Sequence, residues 1–200
     1  MGLSKSFGQL KAVDGVTFEI KEGEIFGFLG PNGAGKTTTI NMLTTLLRAS
    51  GGTATINGLD IHRHSNEVRR TVGVVPQEYT ADEDLTGLQN ILLCGDLYGL
   101  PRSDSKPHAM ELMKLVGLED AADRKVSTYS GGMRRRLELA SGLINYPKLL
   151  FLDEPTLGLD VQTRTAVWDY IRMLKEEYRM TLSTARARAA RRRSTFSFAE

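Results

Sequence analysis

A glycine-rich segment follows a short apolar run near the start of the chain. The apolar run spans residues 25–29, and the segment after it reads Gly30-Pro31-Asn32-Gly33-Ala34-Gly35-Lys36-Thr37-Thr38. Its first eight residues match the phosphate-loop pattern G-x-x-x-x-G-K-[ST], which predicts a strand before the loop and a helix after it. Backbone amides of such a loop converge on one point, where the helix dipole favours an anion. We therefore expect residues 30–38 to bind the phosphates of a nucleotide, with Lys36 on the β- and γ-phosphates and the Thr37 hydroxyl on Mg²⁺.

Two adjacent carboxylates end a second apolar run, far downstream. Residues 149–152 are all apolar, and Asp153 and Glu154 follow them. A buried parallel strand beside the phosphate loop would bring Asp153 to the Mg²⁺. Glu154 would then lie next to the water that attacks the γ-phosphate, where it could act as the general base. A strand that ends in two solvated acids is the alternative, but the loop upstream favours the catalytic interpretation.

A second glycine turn lies between these two elements, at Ser130-Gly131-Gly132-Met133. Here the chain resembles the nucleotide-binding domain of ATP-binding cassette (ABC) transporters, whose signature is Leu-Ser-Gly-Gly-Gln; Tyr129 and Met133 depart from it. In that family the turn contacts the γ-phosphate bound by the opposite subunit. The resemblance therefore implies that Ser130, Gly131 and Gly132 act in trans, in a head-to-tail homodimer that forms on nucleotide binding.

Three further positions match motifs of the same family, in the same order. Gln77 matches the Q-loop residue, which reaches the Mg²⁺ and the attacking water and faces the membrane partner. Asp160, in Pro155-Thr156-Leu157-Gly158-Leu159-Asp160, matches the D-loop residue at the dimer interface. Phe7 lies at the position of the aromatic residue that stacks on adenine, although a core phenylalanine is the alternative there.

Residues 129–160 most resemble the ABC-2 exporter branch, of the daunorubicin-resistance type. The resemblance implies an ATPase with ATP and Mg²⁺ as its ligands, peripheral at the cytoplasmic face of the membrane, that powers a separate transmembrane permease. Two alternatives remain: a soluble ABC ATPase without a transport role, and a hydrolysis-impaired fragment that only binds nucleotide. The run Arg134-Arg135-Arg136 is typical of the branch, but it also fits a solvated helix face.

The order of elements predicts an α/β fold. The resemblance makes this a P-loop NTPase (RecA-like) core with an ABC-type antiparallel β part and an inserted α-helical subdomain. We expect the ATP-binding core at residues 1–77 and 148–184 and the helical subdomain, with the signature, at 78–147. Alternating or continuous apolar residues predict strands at 16–20, 25–29, 53–56, 72–75 and 149–152. Helical spacing predicts helices at 37–47, 90–97, 110–116 and 161–177.

Composition agrees with an intracellular domain that needs a partner for any membrane role. The chain has 200 residues, 40% of them hydrophobic, which is enough to bury a sizeable core. Its one cysteine, Cys94, suits a reducing compartment. No apolar run approaches the roughly eighteen residues of a membrane span.

Both ends depart from the family pattern. Only four residues precede Lys5, where the family has a longer strand, so we expect a start internal to the ancestral reading frame. After residue 182 the family has a strand and then the H-loop histidine, which contacts the γ-phosphate, whereas no histidine follows His108 here. The abrupt change to alanine, arginine and serine predicts an altered reading frame, missing end strands and a disordered basic tail at 185–200. Because the five arginines of this tail account for the basic balance, we expect no nucleic-acid partner.

Overall fold

The computed structural model describes residues 2–157, 159–178 and 180–187. The strands are β1 (Leu3–Phe7), β2 (Leu10–Val16), β3 (Ile25–Gly30), β4 (Thr55–Ile56), β5 (Leu59–Asp60), β6 (Val72–Val75), β7 (Leu149–Asp153) and β8 (Thr181–Ala187). The helices are α1 (Lys36–Leu43), α2 (Ser65–Thr71), α3 (Gly87–Leu97), α4 (Arg102–Leu115), α5 (Gly131–Ser141) and α6 (Val161–Tyr178).

A parallel sheet with strand order β3-β8-β7-β6 forms the centre of the protein. Every residue of β7 is buried, because its two faces pack against different layers. Leu149 and Phe151 join the cluster that contains Ile40 of α1, whereas Leu150 and Leu152 join the cluster of α3 to α6. A sheet covered on both faces needs continuously apolar strands, which explains the run at 149–152. Since the strands are parallel, the loops after β3, β6 and β7 leave the same edge.

Helices α3, α4 and α5 occupy the whole segment between β6 and β7. Thr86 and Gln89 form a capping box that starts α3, in which each side chain accepts a hydrogen bond from the other residue's backbone amide. Leu112 and Met113 of α4 and Leu137 of α5 are fully buried in the same cluster as Leu150 of the sheet. The helical insertion therefore shares one core with β7, the strand that ends in Asp153.

Two antiparallel hairpins, β1–β2 and β4–β5, lie outside the parallel sheet and form the antiparallel β part of the fold. The β1–β2 hairpin packs against the phosphate loop at Gly35. A Cβ atom at Gly35 would lie 2.5 Å from the Ala12 carbonyl oxygen and 2.9 Å from Val13 Cγ2. Glycine at position 35 therefore permits both this close approach of β2 and a left-handed backbone with φ 79°.

Several predicted bounds differ from the structure. No strand spans 16–20, because β2 ends at Val16; the alternation there reflects the ring of Phe18, which packs on Phe26 and Phe28 without strand pairing. Helix α1 ends at Leu43, before the predicted residue 47, because Thr45 adopts a left-handed backbone with φ 62°. Helix α4 begins well before residue 110.

The prediction that the end strands are missing is wrong for β8. Thr181–Ala187 forms a strand inserted between β3 and β7, with Asp153 paired to Ala185 and Gly30 paired to Ala187. The predicted core boundary at residue 184 therefore falls inside a strand. Pairing by two neighbours and burial among apolar side chains outweigh the alanine, serine and threonine composition of this segment. The rest of the predicted tail, residues 188–200, lies outside the described residues.

Candidate nucleotide-binding and catalytic site

The phosphate loop joins β3 to α1 in the conformation that an anion site requires. Gly33 and Gly35 both have positive φ angles, 81° and 79°. Gly35 is the N-cap residue of α1 and offers no side chain to the first helical amides. These amides therefore remain available to a phosphate at the positive end of the helix. Loop residues 31–34 are exposed and Thr38 is half-buried, so the loop opens toward solvent.

The ammonium group of Lys36 is held inside the loop. Nζ donates hydrogen bonds to the carbonyl oxygens of Gly30, at 3.1 Å, and Pro31, at 3.0 Å. It also lies 3.5 Å from Oε1 of Glu154, and only about a tenth of each side chain is exposed. The cation thus has partners before any phosphate arrives, and a phosphate must compete with Glu154 for it.

Thr37 and Asp153 meet across the carboxyl edge of the sheet. The Thr37 hydroxyl donates to Oδ2 of Asp153 at 2.6 Å. Burial raises the pKa of Asp153, as does the nearby charge of Glu154, whereas the Thr37 hydrogen bond and the cations Lys36 and Arg135 lower it.

The same pair suits a magnesium ion. Oδ1 of Asp153 is buried and has no hydrogen-bond partner among the described residues, so one carboxylate oxygen is left for a ligand. Mg²⁺ prefers hard oxygen ligands and usually takes only one or two from protein, with the rest from water and phosphate. The hydroxyl of Thr37 and the carboxylate of Asp153 fit this requirement.

Glu154 has a strained backbone. Its φ is 48°, in the left-handed region, which costs a non-glycine residue on the order of 1–3 kcal/mol. Its amide donates to the Ala185 carbonyl oxygen of β8 at 3.1 Å, and this bond helps to hold the turn. The strain directs the carboxylate back toward Lys36, next to the phosphate loop. The Glu154 carboxylate therefore lies beside the phosphate loop, next to its lysine.

Gln77 lies two residues after β6, on the same edge of the sheet, and is exposed. No hydrogen bond within residues 2–157 joins it to Thr37 or Asp153. The chain around it is fixed by two buried residues of α5. Arg135 Nη1 donates to the Pro76 carbonyl oxygen at 2.8 Å, and the Glu138 carboxylate accepts from the amides of residues 80 and 81.

Arg135 corrects the interpretation of the arginine run as a solvated face. Its side chain is 3% exposed, and besides Pro76 it donates to the carbonyl oxygens of Pro155 (2.6 Å) and Asp153 (3.3 Å). Burial lowers the pKa of its guanidinium, while the charge of Glu138 raises it. Neither Arg135 nor Glu138 is predicted as a site residue from the sequence. Their spacing of three along α5, on a helix whose neighbouring positions Leu137 and Leu139 are apolar, is the signal that could have found them.

The signature turn, residues 130–132, starts α5. Ser130 is the N-cap, and its hydroxyl oxygen accepts from the Met133 amide at 3.3 Å. Gly132 packs tightly, since a Cβ atom there would lie 2.7 Å from Cγ2 of Thr163 in α6. Within the described part of the chain, no hydrogen bond links this turn to the phosphate loop. The Gly131 carbonyl oxygen accepts instead from the Tyr79 hydroxyl, at 3.3 Å.

Asp160 and Phe7 are both exposed. Asp160 accepts from the amides of Gln162 and Thr163 and from the Thr163 hydroxyl, and so begins α6. The Thr163 hydrogen bonds lower the pKa of Asp160. Phe7 is 50% exposed at the end of β1, with Lys5 Nζ 5.1 Å from its ring centre, which argues against the alternative of a core phenylalanine.

Comparison with known proteins places the chain among named relatives. A family model described as "ABC transporter" matches residues 13–157. The daunorubicin/doxorubicin resistance ATP-binding protein DrrA of Streptomyces peucetius is 49% identical over 173 residues, which cover 86% of this chain and 52% of that protein. The linearmycin resistance ATP-binding protein LnrL of Bacillus subtilis (strain 168) is 39% identical over 174 residues, which cover 87% and 56%. The chain thus spans about half the length of the curated relatives it matches.

Solved structures agree with the fold. The ATP-binding cassette MJ0796, a dimer in a post-hydrolysis state bound to ADP and Pi, matches with a TM-score of 0.80 and 28% identity over 92% of this chain and 85% of that one. The ADP conformation of MJ1267, an ATP-binding cassette of an ABC transporter, matches with a TM-score of 0.83 and 25% identity over 94% and 80%. These similarities confirm the predicted α/β fold. Among the described helices, none is long and apolar enough to cross a membrane.

Proposed function

Because the chain belongs to the ABC transporter family, we propose that it binds and hydrolyses ATP as the ATP-binding subunit of an exporter. One observation carries the proposal: the Thr37–Asp153 hydrogen bond of 2.6 Å, which joins the phosphate loop to the acidic end of β7. The loop alone suits any phosphate. The loop with a buried carboxylate beside its hydroxyl suits a nucleotide's phosphates together with a divalent cation.

In this proposal the loop amides and Lys36 bind the phosphates, and Thr37 and Asp153 hold Mg²⁺, with Gln77 reaching the same ion. Bound Mg²⁺ would neutralise charge on the phosphate oxygens. When the phosphates take the ammonium of Lys36, Glu154 loses its cationic partner. Its carboxylate then accepts a proton from a water that attacks the γ-phosphorus, while the bond to the β-phosphate oxygen breaks. The products are ADP and inorganic phosphate.

Dimerisation is part of the proposal. The signature turn makes no hydrogen bond to its own phosphate loop within residues 2–157, which suits a role toward a second copy. We infer a head-to-tail homodimer in which Ser130, Gly131 and Gly132 face the γ-phosphate of the other copy and Asp160 lies near the interface. The similar cassette MJ0796, solved as a dimer, supports dimerisation in general. The exposed ring of Phe7 would stack on adenine.

The membrane role would come from a partner. The named relatives are ATP-binding proteins of daunorubicin, doxorubicin and linearmycin resistance, in agreement with the predicted exporter branch. We propose that this chain powers a separate transmembrane permease from the cytoplasmic face of the membrane.

A hydrolysis-impaired nucleotide-binding module is the second candidate, and one observation favours it. No histidine follows His108, so the position that the family fills with the H-loop histidine has a different residue here. Positioned proton-transfer groups are typically worth about a hundred- to ten-thousand-fold in rate. ATP would then bind normally and turn over slowly.

Three measurements test these candidates. Titration with a fluorescent ATP analogue and Mg²⁺ should show saturable binding, and light scattering of Glu154→Gln with ATP should show a dimer. Steady-state ATPase rates of this chain should then be compared with those of a chain that carries a family-like C-terminus with the H-loop histidine. Similar, robust rates favour the ATPase; a large gain in the second chain favours the binding module. Absence of ATP binding would rule out both.

A further inference from the structure

Helix α5 holds the Gln77 segment, residues 76–81, at both ends of that segment. On the entry side, Arg135 Nη1 donates to the Pro76 carbonyl oxygen at 2.8 Å. On the exit side, Glu138 accepts from the Thr80 amide (2.7 Å), the Thr80 hydroxyl (2.9 Å) and the Ala81 amide (2.9 Å). The three residues between these anchors, 77–79, are exposed. The Tyr79 hydroxyl adds a third contact, a hydrogen bond to the Gly131 carbonyl oxygen at 3.3 Å, so helix α5 holds this exposed loop in position.

The same guanidinium holds the backbone on both sides of Glu154. Arg135 donates to the carbonyl oxygens of Asp153, at 3.3 Å, and Pro155, at 2.6 Å. Glu154 itself has the strained φ of 48°. A strained turn persists only where its surroundings over-determine it, and these two bonds help to hold it.

Burying two charged side chains costs free energy, which argues against a chance arrangement of these contacts. Arg135 and Glu138 are each only 3% exposed, and no ion pair joins them to each other within the described residues. Burying charged groups is unfavourable unless each is hydrogen-bonded. Arg135 donates to main-chain oxygens next to Gln77 and Glu154, and Glu138 accepts from the amides of Thr80 and Ala81 and from the Thr80 hydroxyl. The neighbours on the run differ, since Arg134 pairs with the exposed Glu83.

We propose that Arg135 and Glu138 are positioning residues that couple helix α5, which begins at the signature turn, to Gln77 and Glu154. When ATP bound to the phosphate loop of the other copy contacts the start of α5, the pair carries the resulting displacement of α5 to the Gln77 segment and to the Glu154 turn. Neither side chain touches the nucleotide. This inference rests on the proposed ATP-binding function of the site.

Hydrogen–deuterium exchange on the full chain tests this coupling and does not depend on ATP turnover. In the unaltered protein, Mg²⁺ and ATP should slow amide exchange in two segments, the phosphate loop at 30–37 and the Gln77 segment at 76–81. Arg135→Lys keeps the charge but loses the planar fork that reaches three carbonyl oxygens. Glu138→Gln keeps the shape but loses charge and one acceptor. In both variants the loop should stay protected by ATP, while protection of 76–81 is lost.

Arg136→Gln is the matched control. Arg136 is adjacent on α5 and also donates to carbonyl oxygens, but to those of Val116 and Gly117 in the helical insertion. This variant should keep the ATP-dependent protection of both segments. Where turnover is measurable, Arg135→Lys should lower kcat on the order of a hundredfold and leave the ATP Kd within about twofold, the pattern of lost positioning.

The outcomes are distinct. If ATP protects 30–37 and also 76–81 in Arg135→Lys and Glu138→Gln, the inference is wrong. Equal loss in Arg136→Gln would also overturn it, because the effect would then reflect general loosening of α5. If ATP protects neither segment in the unaltered chain, the proposed function itself fails. Should Arg135→Lys not fold, as judged by circular dichroism, Glu138→Gln alone decides the exchange test.

Discussion

Removing the charge of Glu154 should tighten ATP binding while it abolishes hydrolysis. The carboxylate lies 3.5 Å from Lys36 Nζ, in a place where both side chains are about nine-tenths buried. An incoming phosphate needs the same ammonium group and is repelled by the same carboxylate. Glu154→Gln keeps the side-chain volume and removes both effects.

The size of the effect follows from the geometry. Two unit charges 3.5 Å apart interact by about 5 kcal/mol at an effective dielectric constant near 20. Desolvation and the two loop carbonyl groups that also hold Lys36 offset most of that figure, which leaves a net of about 1–2 kcal/mol. The ATP Kd should therefore fall roughly 5- to 30-fold. Loss of the general base should lower kcat on the order of a hundred- to ten-thousand-fold.

Competition titration with a fluorescent ATP analogue, in the presence of Mg²⁺, measures the change in Kd. Glu119→Gln, which removes an exposed acid from the segment between α4 and α5, is the control for net charge and should leave Kd unchanged. An unchanged or raised Kd in Glu154→Gln would refute the competition between Glu154 and phosphate for Lys36.

The remaining predictions concern binding and packing. Lys36→Ala should weaken ATP binding by about 3 kcal/mol, on the order of a hundredfold in Kd, because charge-assisted hydrogen bonds to phosphate are lost; equal affinity in titration would contradict the site. Asp153→Asn keeps the shape but removes the carboxylate charge, so ATP affinity should no longer rise with added Mg²⁺, a dependence that calorimetry with and without the ion measures. Gly132→Ala would place Cβ 2.7 Å from Thr163 Cγ2 and should lower the free energy of unfolding by about 1–3 kcal/mol in denaturant titration. Gly131→Ala, with its nearest neighbour at 3.7 Å, is the matched control and should cost far less, so equal losses would argue against the clash.

Many residues of the candidate site could be predicted from the sequence, because they belong to local sequence patterns. A phosphate loop is continuous in the chain, and its glycines, Lys36 and Thr37 are recognisable from residue types at fixed spacing. The strand that ends in Asp153 and Glu154 is also local, since four consecutive apolar residues predict a buried parallel strand. The boundaries at 16–20 and after residue 43 were predicted less well, because aromatic packing of Phe18 and the left-handed backbone of Thr45 are decided by neighbours outside the pattern.

The sequence by itself determined the fold class, the phosphate loop and the acids of β7, because each is encoded in a contiguous run whose chemistry does not depend on distant residues. The tertiary structure decided how they meet: the 2.6 Å bond from Thr37 to Asp153 and the ion pair of Lys36 with Glu154 join positions more than a hundred residues apart. It also decided that Arg135 is buried among backbone carbonyl groups, although its neighbours in the run suggested a solvated face. It placed β8 between β3 and β7 despite an unfavourable composition. Burial and long-range hydrogen bonds are properties of the packed chain, so a local pattern could name the parts but not assign these partners.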